Sequence, residues 1–197
     1  MAMDGIAPFR ITICGLEELD GHCASGVSHV LSILDPDWPV PEAFGSFGEH
    51  RKLELRFHDV IEPDIAGTIA PEPAQVAALL GFGQDLISDP QPEAHLLVHC
   101  HAGVSRSTAA MALLLAQALP EIAPGRILQE VLRIRPQAWP NLRIIDFGDA
   151  LLGRDGALIA ATRDAYRCQL AGRPSLAEEM TRSGRGREIT LAQGEDL

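Results

Sequence analysis

The chain has 197 residues, 46% hydrophobic and 22% charged, with a formal net charge of −11. That length and composition suit one soluble globular domain with a sizeable core. The acidity argues against nucleic acid or an anionic membrane surface as a partner, so any phosphate must be bound in one focused pocket.

The four cysteines, Cys14, Cys23, Cys100 and Cys168, are unevenly spaced and contain no CxxC, so they do not make a disulfide framework. Residues 1–10 carry no charged region followed by an apolar one, and no signal peptide is expected. The longest apolar run, residues 109–116, is too short to cross a bilayer. The expected location is the cytoplasm.

Taken in chain order, residues 9–14 alternate as a strand does, and Gly15 stops them. Residues 16–24 suggest a short helix. Residues 29–34 form a second strand, broken by Asp35-Pro36-Asp37-Trp38-Pro39. Residues 40–50 are a loop, with Trp38, Phe44 and Phe47 expected to pack beneath it rather than wall a cleft. Leu53, Leu55 and Phe57 alternate with Glu54 and Arg56 in a third, half-buried strand ended by His58-Asp59. Residues 63–73 are loop-like, and 74–87 have helical spacing interrupted by Gly81 and Gly83. Residues 89–92 connect to a short buried strand at 96–98. Helices follow at 107–119, 125–134, 142–152 and 157–170, the first two stopped by Pro120 and Pro136. From Arg173 onward Gly, Ser, Arg and Glu dominate, which predicts a flexible tail. The expected organisation is a domain over 1–172 and a tail over 173–197, with no internal repeats. The fold class is α/β, a small, mostly parallel central sheet flanked by helices, with a helical C-terminal half.

One stretch organises the rest. Leu96-Leu97-Val98 leads into His99-Cys100-His101-Ala102-Gly103-Val104-Ser105-Arg106-Ser107-Thr108, and Ser107 opens the next helix. Cys100 therefore ends a strand and Arg106 begins a helix, five residues later. Backbone N–H groups curled at a helix start bind anions, and an arginine fork matches a phosphate bidentately. The same positive field favours the thiolate of Cys100. A cysteine at the carboxyl end of an inner strand is also where α/β sheets place ligands. The pattern points to thiolate attack on a bound phosphate.

His99-Cys100, five residues, then Arg106 and a hydroxyl at 107 resembles the signature of the cysteine-dependent protein tyrosine phosphatases. Phe57-His58-Asp59 is similar to their strand-end aspartate. Arg135-Pro136 with Pro140-Asn141 is similar to the helix-turn that small dual-specificity members carry after the loop. Five residues between cysteine and arginine, and a loop in mid-chain, set the sequence apart from rhodaneses and low-molecular-weight phosphatases. No tyrosine-recognition motif of the receptor-type enzymes is found, and residues 101–105 contain no lysine, unlike the lipid-directed members. The resemblance runs from about residue 11 to 152 and is to the small dual-specificity phosphatases of bacterial type, with their three-layer fold.

That resemblance implies the site. Cys100 is the nucleophile of a phosphocysteine intermediate. Arg106 and the backbone N–H groups of His101, Ala102, Gly103, Val104 and Ser105 hold the phosphoryl oxygens. Asp59 is the general acid and then the base, with Asp64 the rival. Ser107 donates to the thiolate or caps the helix. His99 supports the loop and helps lower the cysteine pKa, or is a satisfied core histidine. Asn141 braces the loop or caps the helix at 142. His95, His99 and His101 share a strand face and suggest zinc. That scheme has no use for Gly103, and Arg106 would repel the cation, so neither metal nor cofactor is expected. The implied partner is a phosphorylated protein or a small phosphomonoester. The alternative is a catalytically silent phosphate-binding module of the same fold.

Overall fold

His29–Leu34 and His95–His99 are buried at every position. They form the two inner strands of a four-stranded parallel sheet. The computed structural model describes residues 6–88 and 93–194, so the connector read at 89–92 lies outside the described residues. The strands are β1 (Arg10–Cys14), β2 (His29–Leu34), β3 (Arg51–Arg56) and β4 (His95–His99), in the order β1-β4-β2-β3. Each adjacent pair is parallel, which agrees with the α/β class expected from the sequence.

Alternate residues of the inner strands feed two different cores, as the pleat requires. Leu31, Ile33, Leu96 and Val98 join the large core. Val30 and Leu97 face the other way, toward Cys14, Leu19, Val27 and Phe47. The large core is closed by α1 (Pro73–Ser88), α2 (Arg106–Ala118), α3 (Pro124–Ile134), α4 (Leu142–Leu151) and α5 (Ala157–Gly172). On the opposite face lie two short 3-10 segments, Leu16–His22 and Glu42–Ser46.

The central element is α2, buried at every residue from Arg106 to Ala116. Its alanines, and glycines on its neighbours, allow close approach. A Cβ on Gly83 would lie 2.4 Å from Leu114 Cδ2, and one on Gly148 would lie 2.2 Å from Leu113 Cδ2. Gly83 therefore does not interrupt α1, which runs unbroken from Pro73 to Ser88. It is the residue that lets α1 seat against α2.

The expected tail is a correction. From Arg173 the chain continues into α6 (Leu176–Arg182) and α7 (Gly186–Gln193). Leu176, Ile189 and Ala192 close over Trp139 and Tyr166, which stack with ring centroids 4.3 Å apart. Composition misled because Arg185 and Glu188 are buried as a pair, not solvated. Charges count as solvent-facing in a compositional reading, yet a buried pair with matched hydrogen bonds sits stably inside.

The strand ends converge on one edge. In the register Cys14 lies opposite His99, and Ser32 also pairs with His99. Gly15, Asp35, Phe57 to Asp59, and Cys100 thus leave the sheet together.

Candidate active site

The segment after β4 is held by its carbonyls. His101 O accepts from Leu16 N at 2.9 Å. Arg135, gripped by Glu18 at 2.8 Å, donates from Nη2 to Ala102 O (3.0 Å) and from Nε to Gly103 O (3.1 Å). Val104 O accepts from Trp139 N at 2.9 Å, and Ser105 O from Ala109 N and Asn141 N. Five consecutive carbonyls are thus satisfied from outside. No backbone N–H from His101 to Ser105 donates a hydrogen bond among the described residues. That is the wiring of an anion-binding nest. Gly103 makes it possible: its φ is +67°, and a Cβ there would lie 2.5 Å from Cys14 C.

Cys100 is buried at the base of this loop, with Ser107 Oγ 3.2 Å from its Sγ. Arg106, the first residue of α2, donates from Nη1 to Asp35 Oδ1 and to Phe57 O, both at 2.6 Å. Its Nε is buried and has no partner among the described residues. A donor left so costs about 1–3 kcal/mol unless an acceptor meets it. The neighbouring Cys14 is different in kind. Burial, reinforced by Glu18, pushes its thiol up to about 12, so it stays protonated.

A second cluster faces the loop. Asp59 Oδ1 accepts from Ser105 Oγ (2.7 Å) and Asn141 Nδ2 (2.9 Å), and Oδ2 accepts from Arg185 Nη1 (3.3 Å). Its side chain is 31% exposed. Burial raises the pKa of a carboxyl, but Arg185, Arg106 and the Asn141 and Ser105 hydrogen bonds outweigh it, leaving Asp59 below the usual carboxylate value.

Known proteins place this architecture. No family model and no curated protein matches the sequence. Solved structures do match the fold. Human DUSP28 superposes with TM-score 0.52 and 16% identity, over 73% of this chain and 94% of that one. Tk-PTP in its active form gives 0.52 and 19%, over 78% and 99%. The human tyrosine phosphatase-like serine/threonine/tyrosine-interacting protein gives 0.50 and 16%, over 72% and 87%. The chain has the protein tyrosine phosphatase fold.

Within this phosphatase fold the residues singled out in the sequence meet. Cys100, Arg106 and Ser107 share the loop, and Asp59, Ser105 and Asn141 are joined by hydrogen bonds at its rim. Asp64 is exposed on the following loop. Ser107 sits inside α2 rather than capping it. The capping position belongs to Ser105, whose hydroxyl goes to Asp59 instead. Asn141 caps the helix, and its side chain also reaches Asp59. Its Oδ1 caps α4 through Ile144 N at 3.1 Å while its Nδ2 braces Asp59.

His99 is a support without a charge. Burial drops its pKa to about 4, and its ring meets Ser32 Oγ at 2.8 Å. Its Nδ1 lies 3.4 Å from the backbone oxygen of Cys100. The three histidines considered for zinc have separate partners: His95 meets Thr12, His99 meets Ser32, and His101 accepts from Asp35 N.

Three features escaped the sequence reading. Asp35, taken as a strand breaker, orients Arg106. Arg185, taken as tail, reaches Asp59. Trp38 does not pack under a loop: it is 45% exposed and stands 4.5 Å from the His101 ring. With Leu16, Ala102 and Arg135 it lines a cavity of about 650 Å³ beside the loop that follows β4. Phe44 and Phe47 do pack, edge to face at 5.4 Å.

Proposed function

We propose that the protein is a phosphomonoesterase of the protein tyrosine or dual-specificity type, acting without a metal through a phosphocysteine intermediate. One observation carries the reading. A buried cysteine lies beneath a nest whose carbonyls are all tied outward, with an unpartnered arginine Nε at its edge.

The chemistry follows from that geometry. The N–H groups of residues 101–105 and the Arg106 fork bind the phosphoryl oxygens and stabilise the equatorial charge of the transition state. Cys100 Sγ attacks phosphorus, an S–P bond forms, and the ester P–O bond breaks. Protonated Asp59 gives its proton to the departing oxygen. Asp59 then takes a proton from water, whose oxygen attacks phosphorus. The S–P bond breaks, and Ser107 hydroxyl stabilises the released thiolate. The ionised Asp59 of the free protein is the form that the second step needs. The first step draws on its protonated fraction, which a neighbouring phosphate dianion raises. Turnover of esters with poor leaving groups therefore falls as pH rises.

The substrate is a phosphorylated protein or small phosphomonoester. Trp38 and Leu16 provide an apolar wall suited to an aryl group. The test is hydrolysis of an aryl phosphate in excess chelator by the parent and by Cys100→Ser. Turnover by the parent and its loss in the variant are expected. Phosphate-ester binding without turnover by the parent would instead establish the silent module.

A further inference from the structure

Arg185 is a buried cation that the mechanism above does not use. It lies just before α7, and its fork is divided between two sets of partners. Nε and Nη2 form a bidentate pair with Glu188 at 2.8 and 2.7 Å. Nη1 points the other way, to Ser105 Oγ at 2.8 Å and Asp59 Oδ2 at 3.3 Å.

Glu188 fixes the orientation of that fork. It is fully buried and accepts from Trp139 Nε1 (2.5 Å), Leu142 N (3.0 Å) and Tyr166 OH (3.2 Å) as well as from Arg185. These donors belong to the turn before α4, to α4 itself and to α5. Glu188 is therefore immobilised against the body of the fold, and it presents Arg185 to the rim of the phosphate loop. A buried Arg–Glu pair alone needs no third contact to be neutral. The contact with Asp59 and Ser105 is additional, and it joins residues 126 positions apart.

We propose that Arg185 is a positioning residue for Asp59, holding its carboxylate against Ser105 beside the phosphate loop, so that the segment carrying α6 and α7 completes the active site. This rests on Asp59 being the general acid. Every charged group around Asp59 enters the balance. Arg185 and Arg106 face it directly, His101 and His58 lie nearby, and Glu188 stands behind Arg185 with Tyr166, whose burial keeps it a neutral phenol. Removing Arg185's charge makes Asp59 easier to protonate. Removing Glu188's charge leaves Arg185 facing Asp59 unshared and makes it harder. The two substitutions must move the acid's titration in opposite directions, which general loosening of the fold would not do.

The experiment uses the full chain and records kcat against pH for phosphotyrosine and for an activated aryl phosphate. The variants are Arg185→Gln, Arg185→Lys, Glu188→Gln and Asp59→Asn, with melting temperatures for each. Arg185→Gln should lower kcat on phosphotyrosine on the order of tenfold, with a much smaller effect on the activated ester. Its descending limb should move to higher pH. Where the parent keeps about a tenth of its maximal turnover, this variant should keep on the order of half of its own. Glu188→Gln should move the limb to lower pH. Arg185→Lys retains the charge but not the fork, so its limb should stay while kcat on phosphotyrosine falls. It carries the test if Arg185→Gln does not fold. Limbs that coincide with the parent's in both charge variants, or full kcat in Arg185→Lys, would overturn the proposal. A descending limb that persists unchanged in Asp59→Asn would overturn the assignment of Asp59 instead.

Discussion

The phosphate loop and the acid corner touch each other but are assembled in opposite ways. The loop is one continuous stretch, and the groups proposed to bind phosphate are its backbone amides and the side chain of Arg106 at its end. Its carbonyls are tied down by Leu16, Arg135, Trp139 and Asn141, so its shape is over-determined. The acid corner is made of side chains from three distant segments, with Asp59 after β3, Asn141 before α4 and Arg185 before α7. A backbone site is specified by local spacing and one glycine. A side-chain site exists only after the helices have docked. The loop should therefore fail through changes within it, and the corner through changes far away in sequence.

The largest expected effect lies at the base of the loop. Cys100→Ser should reduce turnover at least on the order of a thousandfold with the melting temperature nearly unchanged, because only the nucleophile is lost. Gly103→Ala should damage fold and activity together. Its Cβ meets the β1 backbone and its φ is positive, so we expect about 2–4 kcal/mol of lost stability and on the order of a hundredfold in kcat/KM. A stable, active Gly103→Ala protein would show that the nest tolerates distortion and would weaken the contrast.

The corner should respond more selectively. Asp59→Asn should cost on the order of a hundredfold in turnover of poor leaving groups while leaving the first release of an activated leaving group, before the intermediate is hydrolysed, nearly unchanged, whereas Asp64→Asn should leave both unchanged. The reverse pattern would move the acid to Asp64. Asn141→Ala should cost about 1 kcal/mol of stability through the lost cap and about tenfold in phosphotyrosine turnover through the loosened Asp59. Loss of stability alone would leave Asn141 only its cap.

The remaining effect is on stability against pH and leaves turnover near neutral pH untouched. His99 titrates near 4 in the fold and near 6.5 when unfolded. The unfolded chain therefore binds the extra proton first. His99 leaves stability untouched above about pH 6.5 and withdraws it as pH falls toward 4, by on the order of 2–3 kcal/mol. Denaturant titrations of the parent and His99→Gln should diverge in that window. Parallel curves would contradict a buried neutral imidazole at the strand end.

The same contrast explains what could be read from the sequence. Cys100, Gly103, Arg106 and Ser107 stood out because the nest needs them at fixed short spacing. The inner strands stood out because both faces are buried, leaving the apolar run Leu96 to Val98 in β4 and, around Ser32, Val30-Leu31 and Ile33-Leu34 in β2. Asp59 is singled out by its resemblance to the strand-end aspartate of the phosphatases, but its neighbours Ser105 and Arg185 carry no such sign in the sequence. Arg185 lies among Gly, Ser and Arg residues whose composition suggests solvent, and only the docking of Glu188 against Trp139 and Tyr166 reveals its aim. Asp35 reads as a turn residue, because its pairing with Arg106 spans 71 positions. Gly83 reads as a break until its close contact with α2 is seen.

The central claim is that Cys100 carries the phosphoryl group between the two steps. It is tested most directly by rapid acid quench of the Asp59→Asn protein during turnover of an activated aryl phosphate, followed by peptide mass analysis. That variant can form the intermediate, because the leaving group needs no proton, but lacks the base to hydrolyse it. The account predicts a phosphoryl adduct on the peptide holding Cys100, absent in the additional Cys100→Ser variant. Leaving-group release with no adduct on that peptide, or an adduct that survives Cys100→Ser, would contradict it.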